Sequence, residues 1–107
     1  TGTDPALTAM IQVAAVKFDP ITREIDHNFF DQCLMIPSRR FWDEGTRGFW
    51  YQQKPEVLEG IYAKMRDTNT VMRELYDWVQ LSACDLHFCS KPLSFDFPFV
   101  ASYFKDA

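Results

Sequence analysis

The stretch "IQVAAVKFDPITREIDHNFFDQCLMI", residues 11 to 36, decides the fold. Residues 11 to 19 are apolar and Val-rich, with Gln12 and Lys17 the only polar interruptions before Asp19. That composition reads as a strand buried on at least one face. "DPITRE", 19 to 24, sets proline second in a turn, where its fixed φ is an advantage. Residues 25 to 36 then return as a second strand. A β-hairpin is the expectation for the whole stretch.

The segments after the hairpin set the class. Pro37 and Ser38 end the second strand. "WDEGTRGFWYQQ", 42 to 53, reads as a short helix weakened by Gly45 and Gly48. "KPEVLEGIYAKM", 54 to 65, reads as another, with Pro55 in its first turn. Thr70 to Ser82 is the clearest helix. Val71, Leu75, Trp78 and Ser82 recur at helical spacing, and Met72, Tyr76 and Val79 widen the stripe. Glu74, Asp77 and Gln80 take the other side. "DLHFCS", 85 to 90, reads as a short strand. A long helix before a strand is crossover geometry, so this strand is expected to run parallel to a neighbour. A final helix is expected from about Ser94 toward Lys105, with Ser94 as its N-cap and Pro98 in its first turn. The order β-β-α-α-β-α defines an α/β layer protein.

The 107 residues amount to one small domain, 47% apolar and 16% aromatic with ten Phe, enough for a packed core. No run approaches the roughly 18 apolar residues of a membrane span, and no signal-peptide pattern opens the chain. The chain opens on Thr1 rather than Met, as a processed or partial chain would. Its net charge of −4 excludes a basic face that grips phosphates generically. Arg39, Arg40, Arg47 and Lys54, interleaved with Asp43 and Glu44, read as a solvated surface. Three cysteines, Cys33, Cys84 and Cys89, argue against a disulfide framework and suit a reducing, cytoplasmic setting. Cys84, His87 and Cys89 form C-x-x-H-x-C, but on a strand Cys84 would face away from the other two. Buried free thiols are the better reading than zinc.

Asp96 stands between Phe95 and Phe97 in "KPLSFDFPFVASYF", residues 91 to 104. An ionised carboxylate among aromatics is costly unless something pairs with it. The plain reading is an acid in a first helical turn, stabilised by the helix dipole by about 0.3–1 kcal/mol. The other is a cation ligand at the carboxyl end of a strand, where α/β proteins gather their ligands.

Two stretches separate these readings. "TGTDPALTAMIQVAAVKFDPITREI", 1 to 25, resembles the start of DnaQ-like (DEDD) 3′–5′ exonucleases of the RNase H-like superfamily. Thr1 and Gly2 match the tail of that family's first motif, Asp-x-Glu-Thr-x-Gly, and "MIQVAAVKFD" matches the strand after it. "SKPLSFDFPFVASYF", 90 to 104, resembles the second motif, in which a Phe-Asp pair opens a helix, and Asp96 falls on its acid. "FWDEGTRGFWYQQKPEVLEGI", 41 to 61, is similar to the Trp- and Gln-bearing helix of a small exoribonuclease-like branch.

The resemblance implies an RNase H-like mixed sheet with flanking helices, in which residues 1–107 form part of an exonuclease domain. It implies hydrolysis at the 3′ end of DNA or RNA with two ions of Mg²⁺ or Mn²⁺ held by four acids. Asp96 is then a catalytic metal ligand, and Thr1, Gly2, Trp50, Gln53 and Phe95 meet the substrate. The first-motif Asp and Glu would precede Thr1, and the third motif would lie beyond Ala107. Residues 1–107 alone are therefore expected to be inactive, with the first strand absent and Ile11–Phe18 left with an open edge. The alternative is a catalytically inactive module of the same fold that binds nucleic acid or protein. A homodimer is compatible with either. Trp42 and Phe49 are further cleft candidates, though spacing of this kind more often marks a core. His27 and His87 read as structural, and Asp19 as a turn residue.

Overall fold

The computed structural model describes residues 1–82, 86–91 and 93–107, with Leu93 and Ser94 described by their backbone. Three strands and four helices succeed one another as β1 (Gln12–Ala15), β2 (Phe30–Leu34), α1 (Glu44–Tyr51), α2 (Pro55–Ala63), β3 (Met65–Arg66), α3 (Thr68–Gln80) and α4 (Leu93–Asp106). The protein is mixed α/β.

The hairpin forms where its composition placed it. β1 and β2 pair antiparallel, Gln12 opposite Cys33 and Ala15 opposite Phe30. The Phe18–Ile25 bridge carries the pairing outward to the turn. There Asp19 Oδ1 accepts from the N–H groups of Ile21 and Thr22, at 2.9 and 3.3 Å, and fixes the bend. Arg23 completes the turn at φ 64°.

The parallel strand is not the expected one. β3 lies beside β2, Cys33 opposite Met65 and Leu34 opposite Arg66, in the order β1-β2-β3. The crossover is α1 and α2, and β3 takes the place of what read as the end of a helix. Leu86–Ser90 is irregular rather than a strand. Phe88 there packs edge-on against Phe97 of α4, with ring centroids 5.3 Å apart. A side-chain contact holds this segment where strand pairing was expected. Asp85, the start of the expected strand, and Cys84 of the C-x-x-H-x-C spacing lie outside the described residues, as does the Ser94 side chain. Cys33 is buried and Cys89 exposed, so Cys89 is not the buried thiol expected.

Neighbouring residues of a strand point to opposite faces, and Cys33 and Leu34 enter two different cores. Leu34 joins Val13, Phe30, Val71, Met72, Leu75, Trp78 and Tyr103 under α3 and α4. Cys33 joins Ile11, Trp42 and Ile61 under α2 and the segment before α1. Of the α3 stripe, Val71, Met72, Leu75 and Trp78 are buried, Val79 is half-buried and Tyr76 is exposed, while Ser82 is half-buried beyond the helix end at Gln80. The helix begins at Thr68, earlier than the stripe indicated, because Asp67 caps it: its Oδ2 accepts from Thr70 N–H at 2.9 Å. Lys17 Nζ donates to the Trp78 carbonyl near the other end of α3 and lies 4.4 Å from the centre of that indole. α4 begins at Leu93, so Pro98 sits inside the helix and not in its first turn.

Candidate nucleic-acid and metal site

The site predicted from sequence comes together in part. Thr1 is tied down: its Oγ1 donates to the Ala9 carbonyl at 2.7 Å and accepts from Ala9 N–H at 3.0 Å. Its carbonyl accepts from Asp43 N–H at 3.0 Å. Gly2 is buried against Thr8, so closely that a Cβ on it would lie 2.5 Å from Thr8 Cγ2. The 1–2 segment is therefore a packed part of the fold, set against the start of α1.

α1 starts there for a local reason. The Asp43 carboxylate caps it by accepting from Thr46 N–H at 3.2 Å. Trp42, just before the cap, is buried in the second core, with its Nε1 unpaired among the described residues. It is a core residue, not a cleft residue. Trp50 meets it edge-on, with centroids 6.5 Å apart, and Phe49 meets Trp50 at 5.8 Å. Trp50 is half-buried, and Phe49 is exposed. Thr1 thus meets Asp43 and Trp50 meets Trp42 at the start of α1, while Gly2 packs on Thr8. Gln53 lies just past the end of α1, exposed, its Nε2 at 3.5 Å from the Phe49 carbonyl.

Asp96 and Phe95 form a separate group in the first turn of α4. Both are exposed, and Phe95 lies against Phe99 with centroids 5.5 Å apart. Among the described residues the Asp96 carboxylate has no hydrogen-bond or ion-pair partner. Among them, too, no hydrogen bond, ion pair or ring contact joins Asp96 or Phe95 to Thr1, Gly2, Trp50 or Gln53. Nor do any three described His, Cys, Asp or Glu side chains converge as a metal cage.

Sequence reasoning missed what holds the two groups in one body. Arg40, read as solvated, is buried. Its Nη1 donates to the carbonyls of Pro5 and Thr8, at 2.7 and 2.9 Å. Its Nη2 donates to Ser102 Oγ and Asp106 Oδ2, at 2.8 and 2.7 Å. Tyr103 adds a second tie, its hydroxyl accepting from Met10 N–H at 2.6 Å. The segment that carries Thr1 and Gly2 is thereby fastened to the helix that carries Asp96. Nothing in an Arg-Arg pair distinguishes the buried member. The Asp43 cap was missed too, although an Asp just before a helical run is a helix-start signal that could have found it.

Compared with protein-family models, with curated proteins and with solved structures, the chain matches none. Among the described residues no helix is long and apolar enough to cross a membrane.

Proposed function

We propose that residues 1–107 are part of a DEDD-type 3′–5′ exonuclease domain of RNase H-like fold, acting on the 3′ end of DNA or RNA. The observation that carries this reading is Asp96. An exposed carboxylate at the start of a helix, unpaired among the described residues, is available as a ligand. Its hard oxygens fit Mg²⁺ or Mn²⁺ rather than a soft metal. When bound, such ions supply a hydroxide nucleophile and stabilise charge on the phosphate.

The chain's own residues do the positioning. Arg40 and Tyr103 hold the Thr1–Gly2 segment against α4. Trp50 and Phe95 present partly open aromatic surface, on which a base stacks for about 1–3 kcal/mol. Gln53 is exposed, and its amide, now on the Phe49 carbonyl, could turn to a nucleotide edge. Among the described residues β1 has no strand on its outer edge, which supports the reading because the resemblance implies a first-motif strand there.

The reading needs four acids, of which residues 1–107 match one, so hydrolysis is expected only of a polypeptide that carries all three motifs. The test is a gel assay of that polypeptide on 3′- and 5′-labelled RNA and DNA, with and without Mn²⁺. Metal-dependent shortening from the 3′ end, lost in Asp96→Asn, is the expected result. Unchanged hydrolysis in Asp96→Asn overturns the assignment. Binding without hydrolysis replaces it with the inactive-module reading.

A further inference from the structure

On the sheet face away from α3 and α4, a groove of about 480 Å³ opens between β2 and α2. That volume falls within the roughly 300–1,000 Å³ range of small-molecule sites. Asp31 and Lys64 both line it, and they do not pair with each other. Asp31 Oδ1 accepts from Gln12 Nε2 at 2.9 Å, which leaves its second oxygen open. The Lys64 ammonium has no partner among the described residues. Val57, exposed, and the rim of buried Ile61 add apolar lining from α2.

Gly60 lies in that wall, inside α2. Glycine within a helix costs about 0.8–1 kcal/mol relative to alanine. A Cβ on Gly60 would meet nothing within 4 Å, so packing does not call for glycine there. What its missing side chain does is keep the groove open.

An acid, an apolar wall and an ammonium match a ligand bearing the reverse pattern. We propose that this groove binds a small zwitterion of dipeptide size. Its amine is held by Asp31, its carboxylate by Lys64 and its apolar side chain over Gly60. The site is independent of the nuclease reading, since α4 and Asp96 belong to the other layer.

The test is an NMR titration of the ¹⁵N-labelled chain with L-alanyl-L-leucine, with N-acetyl-leucine and leucine amide as single-charge controls. Saturable shifts at Asp31, Gly60 and Lys64 are expected. Each control should bind about ten- to a hundredfold more weakly, the usual worth of a hydrogen bond to a charged group. Gly60→Leu fills the groove while favouring the helix, so it should abolish the shifts with the fold intact. Asp31→Asn and Lys64→Gln should each weaken binding to a similar degree. Four results overturn the proposal: no saturable shift, shifts centred elsewhere, an acetylated control that binds as tightly as the dipeptide, or binding that survives Gly60→Leu.

Discussion

The guanidinium of Arg40 lies 4.0 Å from the centre of the Tyr103 ring, with its Nη2 on the Asp106 carboxylate at 2.7 Å. One side chain thus binds α4 and two carbonyls of the segment before β1. Breaking a buried ion pair from one side costs about 3–5 kcal/mol. Asp106 is partly solvated, at 31% side-chain exposure, which lowers that figure. Arg40→Met should therefore destabilise the chain by about 2–4 kcal/mol in urea unfolding. Arg40→Lys should recover little of the loss, because an ammonium cannot reproduce the planar fork. Full recovery by lysine would show that charge alone matters there.

The same residue marks where reading from sequence ended. The hairpin was legible because a Val-rich apolar run and a proline turn are local signals, and the α3 stripe because its period is. β3 was not, since Met65 and Arg66 carry no strand signature. They pair because β2 has a free edge within reach, a tertiary cause. Leu86–Ser90 failed the other way: its alternation fits a strand, but Phe88 packs on Phe97 instead. Of the candidate site, the placement of Asp96 at a helix start was legible. The fastening of Thr1 and Gly2 to α4 was not, because it depends on Arg40 and Tyr103, which are distant in sequence.

The glycines should separate cleanly by environment. Gly2→Ala drives a Cβ into the buried Thr8, whose hydroxyl is already committed to the Asp4 carbonyl at 2.7 Å. Overpacking of this kind costs about 1–3 kcal/mol. Gly48→Ala, on α1, meets nothing within 4 Å and should stabilise by about 0.4–1 kcal/mol. Thermal melts of the two variants should move in opposite directions. A neutral Gly2→Ala would mean that Thr8 gives way.

Acid should weaken the contacts at the start of α3. The side-chain hydrogen bonds from Arg66, at 2.6 and 2.7 Å, hold the Glu74 carboxyl below its ordinary value of 4.5. The backbone N–H of Thr70, then its hydroxyl, hold Asp67 below 3.8. Both are lowered in the folded state, so their stabilisation is present above those ordinary values. It is lost as pH falls through the depressed folded values. Unfolding midpoints measured from pH 6 down to pH 2 should fall in that window. Glu74→Gln should flatten the decline, and an unchanged slope would remove Glu74 from its cause.

Asp96 offers the sharpest division between structure and chemistry. An acid that merely begins a helix contributes through the dipole, about 0.3–1 kcal/mol. Because the Asp96 carboxylate is exposed and unpaired among the described residues, Asp96→Asn should change folding stability by less than about 1 kcal/mol. The fold should be unchanged by circular dichroism. On the proposed nuclease reading, a polypeptide carrying all three motifs should be stabilised by Mn²⁺, and less so as Asp96→Asn, because a bound ion stabilises the folded state by mass action. A variant that loses several kcal/mol would show Asp96 to be structural. A variant that keeps both its stability and its full Mn²⁺ response would leave the carboxylate with no role in metal binding.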